Sequence, residues 1–210
     1  MPAILFIRGT WPSADGWDRW RDRYERAGRP CLLPDRPFAD LPDNRRRTTF
    51  RFEDILAHYT AIIEALPEPP VLVGHSLGGI LVQLLLDSGL GAAGVALAAP
   101  SPRRTLRALA VLRTALPLWT AWRAWRHLPP ARARCFGSTT RAPLLLIAAE
   151  KDRVVPPGSV QADHERQLAA GSETAFRLFP RRSHHLTSEP DWEDIADYCL
   201  AWAETRTVEP

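Results

Sequence analysis

Gly74-His75-Ser76-Leu77-Gly78 sets a serine between two glycines, entered by the apolar run Val71-Leu72-Val73 and left by Gly79-Ile80-Leu81-Val82. A buried strand, a Gly-x-Ser-x-Gly turn and a following helix together form the context in which a serine hydroxyl is held out at a strained bend, a nucleophile elbow. A side chain at position 74 or 78 would collide with the neighbouring strand or helix in so tight a turn. The helix aims its first amides at the serine, where they can receive a developing oxyanion. The chemistry that suits this arrangement is nucleophilic attack on a carbonyl carbon.

A serine hydroxyl is a weak nucleophile at neutral pH, so it needs a base, and the base needs a group to orient it. Behind an elbow of this kind the acid and then the histidine follow in chain order. Asp152 lies in the loop after the apolar stretch 143–149, with Glu150 as the fallback acid. His184 lies in the loop Phe179–Leu186 after the stretch 174–179 and is preferred to His185. His75 sits inside the elbow itself, with its side chain expected to point away from the serine's task. His58 and His164 fall in helical stretches, and His127 in a segment that breaks the pattern. The oxyanion donors are expected to be the backbone N–H groups of Leu77 and Thr10. Gly9 allows close backbone approach there, whereas Pro12 has no N–H to give. Loss of one such donor typically costs about 3–4 kcal/mol of transition-state stabilisation. Trp11, Leu77, Trp119 and Trp122 are candidate walls of a substrate pocket, although tryptophans of an amphipathic helix serve equally as core packing.

The elements that must position these residues alternate. Short strand-like runs at 3–8, 30–34, 70–74, 93–99, 143–149 and 174–179 are separated by helical stretches at 14–27, 51–66, 77–88, 158–170 and 191–205. That rhythm predicts an α/β protein: a mostly parallel sheet covered by helices on both faces. Asp15 and Ser159 are candidate N-caps, and Gly28, Gly89 and Gly171 sit where helices should stop. Residues 101–140 are too long for a simple connection between neighbouring strands. Leu106, Leu109, Leu112, Leu116 and the cluster Trp119, Trp122 and Trp125 make them a small helical insertion within a single domain spanning 1–210.

Composition excludes several classes. A chain of 210 residues, 45% hydrophobic and 24% charged, supports one sizeable globular core. No run approaches the ~20 apolar residues of a membrane span. The N-terminus opens on the strand-like Ala3–Ile7 without a basic region and cleavable apolar stretch, which implies an unprocessed cytoplasmic protein. Cys31, Cys135 and Cys199 lack metal or redox spacing and read as reduced thiols. The net charge of +3 is small, and no nucleic-acid motif accompanies the arginines at 45–47 and 103–134, which read as solvated surface. A dinucleotide fingerprint would need glycine where Ser76 stands, and no Gly-Lys-Ser/Thr phosphate loop is present.

With these residues in place, the chain resembles the α/β-hydrolase superfamily over nearly its full length. The resemblance rests on Arg8-Gly9-Thr10-Trp11, Gly74 to Gly79, Glu150-Lys151-Asp152, and Phe179-Pro180 through Ser183-His184. It is most similar to small bacterial hydrolases with a tryptophan-rich first loop (Trp11, Trp17, Trp20). These share a stretch matching Leu85 to Ala96 and an Arg-Ser-His-x-Leu loop, here Arg182 to Leu186. The resemblance implies Ser76 as nucleophile, His184 as general base, Asp152 as its orienting acid, and a helical cap formed by the insertion. It implies a small-molecule acyl substrate and no metal or organic cofactor. Arg8 stands where the family commonly has histidine, which implies either a permanent cation beside the oxyanion loop or simply a surface-facing side chain, and the chain is short for the superfamily, which implies a reduced cap.

Hydrolysis of an ester, thioester or lactone is the first expectation. A second is a biosynthetic acyltransferase, thioesterase or cyclase acting on an intermediate bound to an acyl carrier protein, for which Arg103 and Arg104 would meet an acidic carrier or a phosphate. A third, resting on Arg8, is a ligand-binding homologue that kept the fold without turnover.

Overall fold

A computed structural model describes residues 2–8, 16–35, 52–102 and 140–207. Within them six strands form one sheet: β1 Ile4–Ile7, β2 Cys31–Leu32, β3 Val71–His75, β4 Ala93–Leu97, β5 Leu144–Ala149 and β6 Thr174–Phe179. Their order is β2-β1-β3-β4-β5-β6, and every pairing is parallel. Five helices are described: α1 Trp17–Arg26, α2 Phe52–Glu64, α3 Leu77–Asp87, α4 Pro157–Ala169 and α5 Trp192–Thr207. Among the described residues no helix is long and apolar enough to cross a membrane.

Strands β1, β3, β4 and β5 are apolar on both sides because both sides are covered. Ile4, Phe6, Val71, Val73, Val95, Leu97, Leu145 and Ile147 face one layer with Trp17, Trp20 and Tyr24 of α1 and Trp192, Ile195 and Cys199 of α5. The alternate residues Leu5, Ile7, Leu72, Ala96, Leu144 and Leu146 face Tyr59 and Ile63 of α2, Leu81 and Leu85 of α3, and Val160 of α4. This is the expected α/β sandwich. Trp17 and Trp20 lie on α1, buried in the core, and so do not belong to a loop beside the site.

Helix stops fall where expected. Gly28, Gly89 and Gly171 take positive φ, and the next N–H in each case reaches back five residues: Arg29 to Tyr24, Leu90 to Leu85 and Ser172 to Gln167. One start differs. Ser159 is inside α4, with Pro156 as its N-cap residue and Pro157 at its first position. The Ser159 hydroxyl donates to the Pro156 carbonyl at 2.7 Å, so proline's fixed φ, in place of a serine cap, opens this helix. Asp15 lies outside the described residues. β4 and β5 are adjacent in register, Gly94 opposite Leu144, so the long segment between them does join neighbouring strands. Its residues 103–139 lie outside the described residues.

Candidate active site

Ser76 is the single residue between β3 and α3, at φ 54° and ψ −116°, a conformation that side chains rarely adopt. Such strain costs about 1–3 kcal/mol and persists only where the surroundings impose it. Here they do. The Ser76 N–H donates to Leu97 O at 2.9 Å, and its carbonyl accepts from the Gly79 and Ile80 N–H groups at 3.0 and 3.3 Å. A Cβ on Gly74 would lie 2.4 Å from Gly78 O, and one on Gly79 would lie 2.6 Å from the Ala99 Cβ. No substituent fits at either position without displacing backbone or a packed methyl. Leu77 opens α3, and its N–H belongs to the first turn, where helix geometry supplies no acceptor.

Asp152 lies three residues beyond β5 and is buried. Its Oδ1 accepts from the Val154 and Val155 N–H groups, both at 2.8 Å, and its Oδ2 lies 2.8 Å from His184 Nδ1. A carboxylate only accepts, so His184 donates from Nδ1, and in the neutral imidazole that tautomer leaves the lone pair on Nε2. Glu150 is used elsewhere, accepting the Arg181 N–H at 2.7 Å. Of the two acids, it is Asp152 that meets the histidine. Of the two histidines, His184 meets the acid, whereas His185 is exposed.

The acid and histidine loops are laced together. Glu150 N–H donates to Phe179 O at 3.0 Å and Lys151 N–H to Arg182 O at 2.8 Å. Glu189 accepts from the Ser183 hydroxyl at 2.9 Å, Arg182 reaches Asp191 O at 3.1 Å, and Leu186 is sunk in the core. From the other side, Trp20 Nε1–H donates to Thr187 O at 3.0 Å. A Cβ on Gly16 would lie 2.5 Å from that same oxygen, so α1 begins hard against the histidine loop.

Two contributors escaped the sequence reading. His75 does not point away from the site: its Nε2–H donates to the His184 carbonyl at 2.7 Å, and the two rings lie 4.8 Å apart. Burial, and next the neighbouring His184, push the His75 imidazole down to about 4. Tyr59 of α2, fully buried, accepts the Arg8 N–H at 2.9 Å and so fixes the start of the loop expected to hold Thr10. The only sequence signal for it is that a buried tyrosine hydroxyl must find a partner. Thr10, Trp11, Trp119 and Trp122, like Arg103 and Arg104, lie outside the described residues.

Residues 4–198 match the Alpha/beta hydrolase family. The chain belongs to that family. Among solved structures, this hydrolase is similar to esterase 2 of Thermogutta terrifontis, described as phosphoramylated by tabun. The two are 14% identical over 100% of this chain and 85% of that one, with a TM-score of 0.73. It is also similar to a monoacylglycerol lipase of Paleococcus ferrophilus, 17% identical over 97% of this chain and 94% of that one, at 0.64. Polyneuridine aldehyde esterase is 15% identical over 97% and 99% of the two chains, at 0.66. At such identities the likeness to solved structures concerns the fold, with six parallel strands and helices on both faces.

Proposed function

We propose that the protein hydrolyses a carboxylic ester, thioester or lactone through an acyl-enzyme on Ser76. The observation that carries this reading is the 2.8 Å hydrogen bond from His184 to the buried carboxylate of Asp152, at the sheet end where Ser76 occupies its strained turn. Membership of the alpha/beta hydrolase family supports it.

With Nδ1–H engaged by Asp152, His184 Nε2 takes the Ser76 hydroxyl proton as Oγ attacks the substrate carbonyl. Asp152 holds the imidazole in that tautomer and stabilises the imidazolium that forms. The Leu77 and Thr10 N–H groups receive the oxyanion. The imidazolium then gives its proton to the departing alcohol or thiol. Water, deprotonated by His184, attacks the acyl-enzyme and releases the acid with Ser76 restored. Trp11, Trp119 and Trp122 are the walls proposed for the acyl group, and no metal or organic cofactor enters these steps.

An organophosphorus reagent reports on this chemistry, as the tabun adduct of the Thermogutta terrifontis esterase illustrates for that protein. A fluorophosphonate should modify Ser76, as located by peptide mass mapping, and His184→Ala should slow the reaction severely. An adduct at another residue, or labelling indifferent to His184→Ala, would overturn the reading.

A further inference from the structure

The residue before Ser76 in the chain bonds to the backbone of His184. His75 ends β3 in register with Leu97 of β4, so its backbone is fixed by the sheet. Its Nε2–H donates to His184 O at 2.7 Å across a separation of 109 residues, and its ring lies 4.8 Å from the His184 ring at an angle of 50°. We propose that His75 is a positioning residue that sets the reach of His184 to Ser76 by tying the histidine loop directly to the elbow. This rests on the reading of Ser76 as nucleophile and His184 as base.

The physical case is one of tolerance. Asp152 fixes the His184 imidazole from the acid loop, and Glu189 fixes Ser183 from the far side of the histidine loop. Neither bond refers to where the serine is. Proton transfer from Ser76 depends on that spacing to within a fraction of an ångström, and displacement by about 1 Å can cost roughly 100-fold in rate. Among the described residues the His75 bond supplies that reference directly: one end is covalently next to Ser76 and the other is the carbonyl of His184. His75 also suits its neighbour electrostatically. When His184 becomes an imidazolium, the groups around His75 are His184 and His185 of the histidine loop and Asp152 of the acid loop. A neutral imidazole adds no second positive charge beside the new one.

The test separates the donated bond from mere space filling. His75→Gln keeps an N–H donor at about the same reach, and His75→Leu fills the space without one. The second-order rate of Ser76 modification by a fluorophosphonate is measured for each, alongside the melting temperature. His75→Leu should react roughly 10- to 100-fold more slowly than the wild type, with His75→Gln recovering most of the loss. If His75→Leu does not fold, His75→Asn, polar but too short to reach His184 O, takes its place with the same expected loss. A wild-type rate in the donor-less or short variant, or a His75→Gln rate as low as theirs, overturns the role of His75. Absence of any Ser76 adduct in the wild-type protein overturns the catalytic reading itself, and this inference with it.

Discussion

Asp152 and Asp163 are carboxylates removed from water to the same degree, 5% and 4% exposed, yet they are satisfied in opposite ways. Asp163, on α4, has both oxygens taken by its scaffold. Oδ1 accepts from Ser101 Oγ at 2.9 Å and from the Arg166 guanidinium, and Oδ2 from Gln167 Nε2 at 3.2 Å. Gln167 continues to Gln83 of the elbow helix at 3.1 Å and accepts from Arg141 at 2.6 Å, so the network joins α3, α4 and the segment leading into β5. Asp152 anchors only one oxygen, on two backbone amides of its own loop, and presents the other to a histidine that can gain and lose a proton. A buried carboxylate saturated by fixed donors acts as a structural tie. One that gives an oxygen to a histidine is the arrangement that the proposed reaction asks of Asp152.

Substitution should separate the two. Asp152→Asn keeps the shape but turns a donor or a weaker acceptor toward His184, and turnover of an activated ester should fall by about 10,000-fold. Asp163→Asn should lower unfolding free energy by about 1–3 kcal/mol through lost partners in the network. Its turnover per folded molecule should stay close to wild type. Steady-state kinetics and urea unfolding of both variants give the comparison directly, and a reversal of the two patterns would erase the distinction.

A smaller effect concerns pH. The His75 imidazole is held near 4 against an ordinary 6.5. As pH falls from 6.5 toward 4, the unfolded chain takes up a proton there while the folded one does not. Folded stability therefore declines as pH drops through that window and is unaffected by His75 above it. Urea midpoints followed over that range should fall more steeply in the wild type than in His75→Gln. Parallel curves would contradict the account.

Strands β1 to β5 were legible because each is a short apolar run bounded by Gly, Pro or charge, and three of the five described helices because their stops carry Gly28, Gly89 and Gly171. Local pattern sufficed there. The preference for Asp152 over Glu150 rested on place in the loop alone, since both are carboxylates of one loop. It is decided by the Val154 and Val155 amides, which face Asp152, and by the Arg181 N–H, which claims Glu150. His75 was misjudged for a similar reason: its partner is a backbone carbonyl 109 residues away, and no periodicity encodes that. Trp20 was read with the first loop, but the core takes its ring and the histidine loop takes its N–H.

Ser76 is proposed to carry the acyl group during turnover. Mixing the protein with a p-nitrophenyl ester of a short acid, quenching within the first turnover and mapping the mass gain by peptide tests it most directly. The expected result is a burst of p-nitrophenol stoichiometric with the chain and an acyl group on Ser76, both lost in Ser76→Ala. Turnover that persists in Ser76→Ala, or an acyl group found on another residue, would contradict it.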